Sequence, residues 1–304
     1  MKNLFKRKMF LGAVLTLISV SLVLAGCGNS NNGSTPSPTV APTQNTENAG
    51  GSTPTPEPEK KVSGTVTIAG STSVQPLAEE LGNAFMELDT NDARIEVAGG
   101  GSGAGVKAAQ TSTADIGMAS REIKEDETGI TPIVIAIDGI AVVVNPSNAN
   151  AELTLEQIQG IFSGKITKWS EVGGSDANIV VVNREEGSGT RDAFAEIVLK
   201  SDPFVAEAII QNSTGAVREA VSQDVNAIGY ISLGGLNDSV KAVKVNGVDA
   251  TEENIKGGTY PIARPFNFLV NDSKAPSDAA QAFIDYILGE GQSIVAESGY
   301  VTVN

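Results

Sequence analysis

The sequence predicts an α/β fold with a mainly parallel sheet, on two observations. Short runs of β-branched residues alternate with longer runs whose apolar residues recur at helical spacing. Each change passes through a corner rich in Gly, Ser and Thr: "GSTS" at 70–73, "GGGSG" at 99–103 and "GSGT" at 187–190. Strands that follow one another through helices pair in parallel, because a parallel neighbour needs a crossover.

In chain order, "GTVTIAG" (64–70) reads as a strand, and Val74, Leu77, Ala78, Leu81, Ala84, Phe85 and Leu88 then mark one face of a helix. "ARIEVAG" (93–99) leading into "AGVKAAQT" (104–111) repeats the unit, and "NIVVVN" (178–183) leading into "TRDAFAEIVL" (190–199) repeats it again. Further strands are expected at 114–118, 132–137, 139–144, 227–231, 240–245 and 265–270, and further helices at 154–162, 203–211, 215–223 and 276–289. The run "IVIAIDGIAVVVNP" (133–146) reads as buried strand broken at Asp138-Gly139, and "YPIARPFNFLV" (260–270) as a return run. Two such crossings let the chain leave one α/β lobe, build a second and come back to finish the first.

Residues 1–27 read as a lipoprotein signal. Lys2, Lys6, Arg7 and Lys8 precede the apolar stretch Met9 to Leu24, and Leu24-Ala25-Gly26-Cys27 closes it with small residues before the cysteine that takes the lipid. The apolar run is shorter than the ~20 residues of a spanning helix. Residues 28–61 are mostly Asn, Ser, Thr, Pro, Gly and Glu with Val40 the only large aliphatic before Val62, too little to bury, so they form a tether. As a flexible coil it reaches roughly 30 Å. The remaining 243 residues suffice for one large core or two smaller ones.

Cys27 is the only cysteine and there is no histidine. Disulfides, Ser-His-Asp and Cys-His nucleophilic sites and HExxH zinc sites are thereby excluded. Beyond Cys27 the chain carries 17 basic against 36 acidic side chains, a net charge of −19. That surface argues against nucleic acid and repels small anions at long range, so an anionic ligand has to be held by local groups.

The corners can supply such groups. The first N–H groups of a helix are unpaired and carry partial positive charge, and a Gly, Ser and Thr corner adds close backbone approach and uncharged donors. The plainer reading is that Ser73, Ser102 and Thr190 cap their own helices. "GGGSGAGVK" fails as a Walker loop because Val106 stands where the lysine belongs, and as a dinucleotide motif at Ala104; Glu186 spoils a GxSxG elbow around Ser188. Arg184, before the third corner in "NREEGSGTRDAF", offers a fork of donors that fits a tetrahedral oxyanion. Its plainer reading is a surface pair with Glu185 or Glu186. Arg121 and Arg191 are weaker candidates, Arg191 expected to pair with Asp192 or along its helix. A carboxylate at the site would favour protonated phosphate over sulfate, and Glu186, Asp138 and Asp115 are the available acceptors, Glu186 also being placed to orient Arg184.

"AGSTSVQPLAEE", "GGGSGAGVKAA", "ADIGMASRE", "IFSGKITKWSEVGG", "VNREEGSGTRDAF" and "VNAIGYISLG" stand in family order along Gly64 to Asn304. In these motifs the chain resembles the phosphate-binding lipoproteins of Pst-type phosphate ABC transporters, in the periplasmic-binding-protein superfamily. Trp169 is a fingerprint of the resemblance, and by its chemistry a packing residue.

The resemblance implies a type II fold of two mixed or parallel sheets flanked by helices with a two-strand hinge. It divides the chain into lobe I, 62–144 plus 258–304, and lobe II, 145–257. It implies capture of inorganic phosphate in the cleft and delivery to permease subunits, by a monomer without cofactor, metal or covalent chemistry, anchored by lipid at Cys27 on the extracytoplasmic face of the cell membrane. By position it assigns Thr72, Ser73 and the Val74 N–H, then Ser102 and Gly103, then Arg184, Ser188, Gly189 and Thr190 to the phosphate. Ser120 stands where some members have an aspartate acceptor; it can still bond an oxygen, and that leaves discrimination to Glu186 or Asp138. Rival readings are a binding protein for sulfate, molybdate or another tetrahedral anion, and a phosphoester hydrolase using Ser188 or Ser73.

Overall fold

The computed structural model describes residues 61–304, so the signal, Cys27 and the tether up to residue 60 lie outside the described residues. β1 (Val62–Gly70) leads through the first corner into α1 (Gln75–Met86), and β2 (Asn91–Gly99) leads through the second into α2 (Ser102–Thr111). β3 (Ile116–Ala119) joins them, and β1 pairs in parallel with both β2 and β3. The strand, corner, helix grammar read from the sequence is thus realised. The chain then enters β4 (Ile130–Val144), fifteen residues long, and the short β5 (Glu152–Leu153) and α3 (Leu155–Phe162) follow. α3 starts on a capping box, Thr154 accepting from the Gln157 N–H while Gln157 accepts from the Thr154 N–H.

β6 (Val180–Arg184) opens the third unit, and α4 (Gly189–Phe194) continues as a π turn, Ala195–Leu199. β7 (Ile209–Gln211), α5 (Thr214–Gln223) and β8 (Ala227–Ser232) follow, with β6 parallel to both β7 and β8. The chain closes with β9 (Lys241–Ala242), β10 (Lys244–Val245), α6 (Glu252–Lys256), β11 (Ala263–Asn271), α7 (Asp278–Leu288) and α8 (Gln292–Glu297).

The sheet is mixed rather than mainly parallel. Its order is β2-β1-β3-β11-β4-β8-β6-β7, parallel toward both ends and antiparallel where β11 meets β3 and β4 and where β4 meets β8. A strand that leaves and a strand that returns run in opposite senses. β4 is also unbroken: it pairs with β11 as far as Gly139 and with β8 from Ile140, so the expected break at Asp138-Gly139 is instead a change of partner. Gly139 suits that point because a Cβ there would stand 2.4 Å from Ile255 Cδ1.

The expected helix at 203–211 is absent. Phe204, Val205, Ala208 and Ile209 imitate helical spacing, but residues 209–211 pair with β6 and form the sheet edge. Two main cores result. One packs β1, α1 and α7 around Phe85, Phe268 and Phe283; the other packs α3, α4 and β8 around Phe162, Phe194 and Tyr230, whose last two rings stack at 4.1 Å. Trp169 belongs to the second core and donates Nε1–H to the Asn226 carbonyl. Among the described residues no helix is long and apolar enough to cross a membrane.

Candidate functional site

Each corner is held at the end of a strand by contacts that leave no room for larger residues. Gly70 lies at φ 140°, and a Cβ there would stand 2.3 Å from the Met118 carbonyl and 2.7 Å from Gly105 Cα. That close approach brings the end of β1 against α2 and β3, so the first two corners and Ser120, which follows β3, share one end of the sheet. Gly101 N–H bonds the Gly70 carbonyl at 2.9 Å and joins the corners directly.

The hydroxyls expected to cap helices do not. α1 and α2 have no side-chain cap, and in α4 the cap is Ser188, which accepts from the Arg191 N–H. Ser71 Oγ takes the Ser73 and Val74 N–H groups at 3.2 and 3.4 Å. Ser73, Ser102 and Thr190 are therefore relieved of capping, and all three are buried. Ser73 Oγ stands 2.8 Å from both Thr190 Oγ1 and Thr214 Oγ1. Ser71 Oγ donates to Ser120 Oγ at 2.8 Å, and Ser120 N–H donates to Ser102 Oγ at 3.0 Å.

Arg184 enters this cluster from the end of β6. Asn183 Oδ1 accepts the Arg184 N–H and the Tyr230 hydroxyl, fixing the backbone. The guanidinium donates through Nε and Nη2 to Glu185, each at 2.8 Å, through Nη2 to Thr72 Oγ1 at 3.2 Å, and through Nη1 to Thr214 Oγ1 at 3.5 Å. The third corner closes on the second: the Gly103 N–H bonds the Gly187 carbonyl at 3.0 Å, and a Cβ on Gly189 would lie 2.1 Å from Ser102 Oγ and 2.9 Å from Ser120 Oγ. Thr72, Ser73, Ser102, Ser120, Arg184, Gly189 and Thr190 thus come together from separate elements. Val74 and Ser188 lie at the same helix starts, while the Gly103 N–H, expected to face a ligand, here clamps two corners to each other.

Four sequence expectations are corrected. Glu186 does not orient Arg184: its side chain is 94% exposed and reaches only Arg191, at 4.0 Å, because the chain turns after Arg184 and Glu185 folds back instead. Asp138 is instead spent on Arg264 Nε and Nη2 at 3.1 and 3.0 Å and on the Ser232 hydroxyl and Leu233 N–H. Burial pushes its carboxyl up to about 6 against the pull of Arg264. Asp115 accepts from the Thr67 N–H and hydroxyl. Arg191 lies 5.3 Å over the Phe204 ring rather than against Asp192, which pairs with Arg121 Nε at 3.1 Å and Lys124 Nζ at 2.9 Å.

Arg121 is filled from its other side by Glu127, at 2.7 and 2.6 Å, which raises the guanidinium and holds the Glu127 carboxyl below its ordinary range, both against the cost of burial. In the rim cleft that Arg121, Lys124 and Asp192 line, about 410 Å³, both of these cations are thus already ion-paired. Sequence reasoning missed Ser71, Asn183, Glu185 as the orienting group, and Thr214. Ser213-Thr214-Gly215 has the same corner grammar, but the misread helix before it hid the strand that would have exposed it.

The fold and the cluster at its strand ends define a solute-binding domain: a family model described as a PBP superfamily domain matches residues 55–290. A structure from Clostridium perfringens that holds bound phosphate is 44% identical, with TM-score 0.76, over 79% of this chain and all of that one. An ABC-type phosphate transport receptor from Vibrio cholerae is 34% identical, with TM-score 0.65, over 78% and 99%. The phosphate-binding protein PstS of Bacillus subtilis is 32% identical over 95% of this chain and 93% of its own. The chain belongs to this family of phosphate-binding proteins, the substrate-binding components of phosphate ABC transporters.

Proposed function

We infer that the chain binds inorganic phosphate outside the cytoplasm and hands it to the permease of an ABC transporter, without chemical change. The observation that carries this reading is the buried Arg184, whose guanidinium stands among hydroxyls drawn from the first corner and from α5. Thr72, Ser73, the Val74 N–H, Ser102, Ser120, Arg184, Ser188, Gly189 and Thr190 form the site, joined by Thr214. Neutral donors around one permanent cation bind an oxyanion at short range while the acidic exterior acts only at long range. A micromolar dissociation constant corresponds to about −8 kcal/mol, within reach of several charge-assisted hydrogen bonds at ~1.5–3 kcal/mol each.

The finer reading is of two lobes, 62–144 plus 258–304 and 145–257, hinged on β4 and β11 in the type II manner and closing on the ligand. Closure is favoured because only the closed form satisfies all the anion's oxygens. The contact of Gly103 with Gly187 supports such a closed arrangement. In the same reading Cys27 carries the lipid and 28–61 tethers the domain.

The test is calorimetric titration of the full chain with phosphate and, separately, sulfate. Phosphate is expected to bind in the micromolar range or tighter, and sulfate at least ~10-fold more weakly. Equal affinities would reassign the site to tetrahedral oxyanions in general.

A further inference from the structure

We propose that Thr214 is a positioning residue for the anion site, acting through a row of hydroxyls whose direction Arg184 sets; the proposal rests on the phosphate reading. Thr214 is buried at the start of α5, and its hydroxyl touches both Ser73 Oγ, at 2.8 Å, and Arg184 Nη1, at 3.5 Å. Ser73 Oγ is in turn 2.8 Å from Thr190 Oγ1. Three hydroxyls thus stand in a row, with the guanidinium at one end and the start of α4 at the other.

Proton counting gives the row its function. A guanidinium only donates, and each hydroxyl has one proton to give and lone pairs to receive. Two bonds within the row consume two of its three protons. The positive charge of Arg184 favours hydroxyl dipoles that point away from it, so Thr214 donates to Ser73 and Ser73 donates to Thr190. The proton of Thr190 is then left for an acceptor outside the row. The row crosses from α5 to the first corner and on to α4, so it presents a donor to the anion only when those elements are together.

Replacing Thr214 by Val keeps the shape and removes the hydroxyl. Ser73 and Thr190 can then bond in either sense, and Thr190 loses its bias toward donating. The loss falls hardest on the phosphate dianion, whose oxygens need donors, and least on the more protonated form, which can itself donate to Thr190. The charged groups around the row are Arg184 and Glu185, with Arg264 and Asp138 behind Ser120 and Arg191 on α4. None of these groups is changed by the substitution, which removes one neutral hydroxyl.

The experiment is phosphate titration of the full chain as wild type, Thr214→Val and Thr214→Ser, at about pH 6 and about pH 8, with thermal midpoints of each. Thr214→Val is expected to bind roughly 5–10-fold more weakly at the higher pH and by a smaller factor at the lower, while Thr214→Ser stays within about twofold of wild type. Thr214→Val within twofold at both pH values overturns the proposal. So does a Thr214→Ser loss equal to that of Val, which would make the methyl group's packing responsible, or a loss that does not change with pH. Failure of the wild type itself to bind phosphate would instead refute the functional reading.

Discussion

Arg184 and Arg264 are both buried, at 2% and 4% exposure, yet their surroundings have little in common. Arg264 meets a carboxylate with no exposure at all, Asp138, through two nitrogens, and gives a third bond to the Ser120 carbonyl. Asp138 fills its other oxygen with Ser232 and Leu233, so charges and lone pairs are closed within the protein. Arg184 meets Glu185, whose side chain remains 26% exposed, and otherwise only the hydroxyls of Thr72 and Thr214. Hydroxyls can turn from a neighbour to a ligand at small cost; a buried ion pair cannot. Arg264 is thereby closed within the protein, whereas Arg184 is the arginine that the proposed reading turns toward the ligand, a distinction that burial alone does not make.

The largest effect is expected at the closed pair. Arg264→Met leaves Asp138 buried without its counter-charge and should cost about 3–5 kcal/mol in denaturant unfolding. A change under about 1 kcal/mol would mean that the pair is not structural. Next comes Arg184→Ala, which should weaken phosphate binding by at least ~100-fold through the loss of charge-assisted bonds, with the thermal midpoint of ligand-free protein little changed. Gly189→Ala should follow at about tenfold, because its Cβ would stand 2.1 Å from Ser102 Oγ and force the second and third corners apart.

The smallest effect concerns pH. With the Asp138 carboxyl raised to about 6 from an ordinary 3.8, the folded state binds its proton more tightly than the unfolded chain. This group's contribution to stability is therefore full below the ordinary value and is lost as pH rises through about 6. Glu127, held low by Arg121, works in the opposite sense and loses its contribution as pH falls. Unfolding at stepped pH should show the Asp138 slope in wild type and not in Asp138→Asn.

Much of this arrangement is legible in the sequence, since a corner is local: glycine permits the turn, hydroxyls follow, and apolar spacing announces the helix. Arg184 is legible for the same reason, standing at a strand end beside such a corner. What escapes is set at long range or by departures from regular geometry. Proximity favours Glu186, but β6 ends at Arg184 and the turn sends Glu185 inward instead. Asp138 reads as a free acceptor because its partner lies 126 residues away on β11. Thr214 escapes because apolar spacing at 203–211 suggests a helix where backbone pairing to β6 makes an edge strand.

Whether phosphate sits at the strand-end corners against Arg184 is decided by a crystal structure of the full chain grown with phosphate. It should place the anion within hydrogen-bond reach of Arg184 and the hydroxyls of Thr72, Ser102 and Thr190. Phosphate in the rim cleft by Arg121 and Lys124, with Arg184 still closed on Glu185 and Thr214 alone, would contradict that placement.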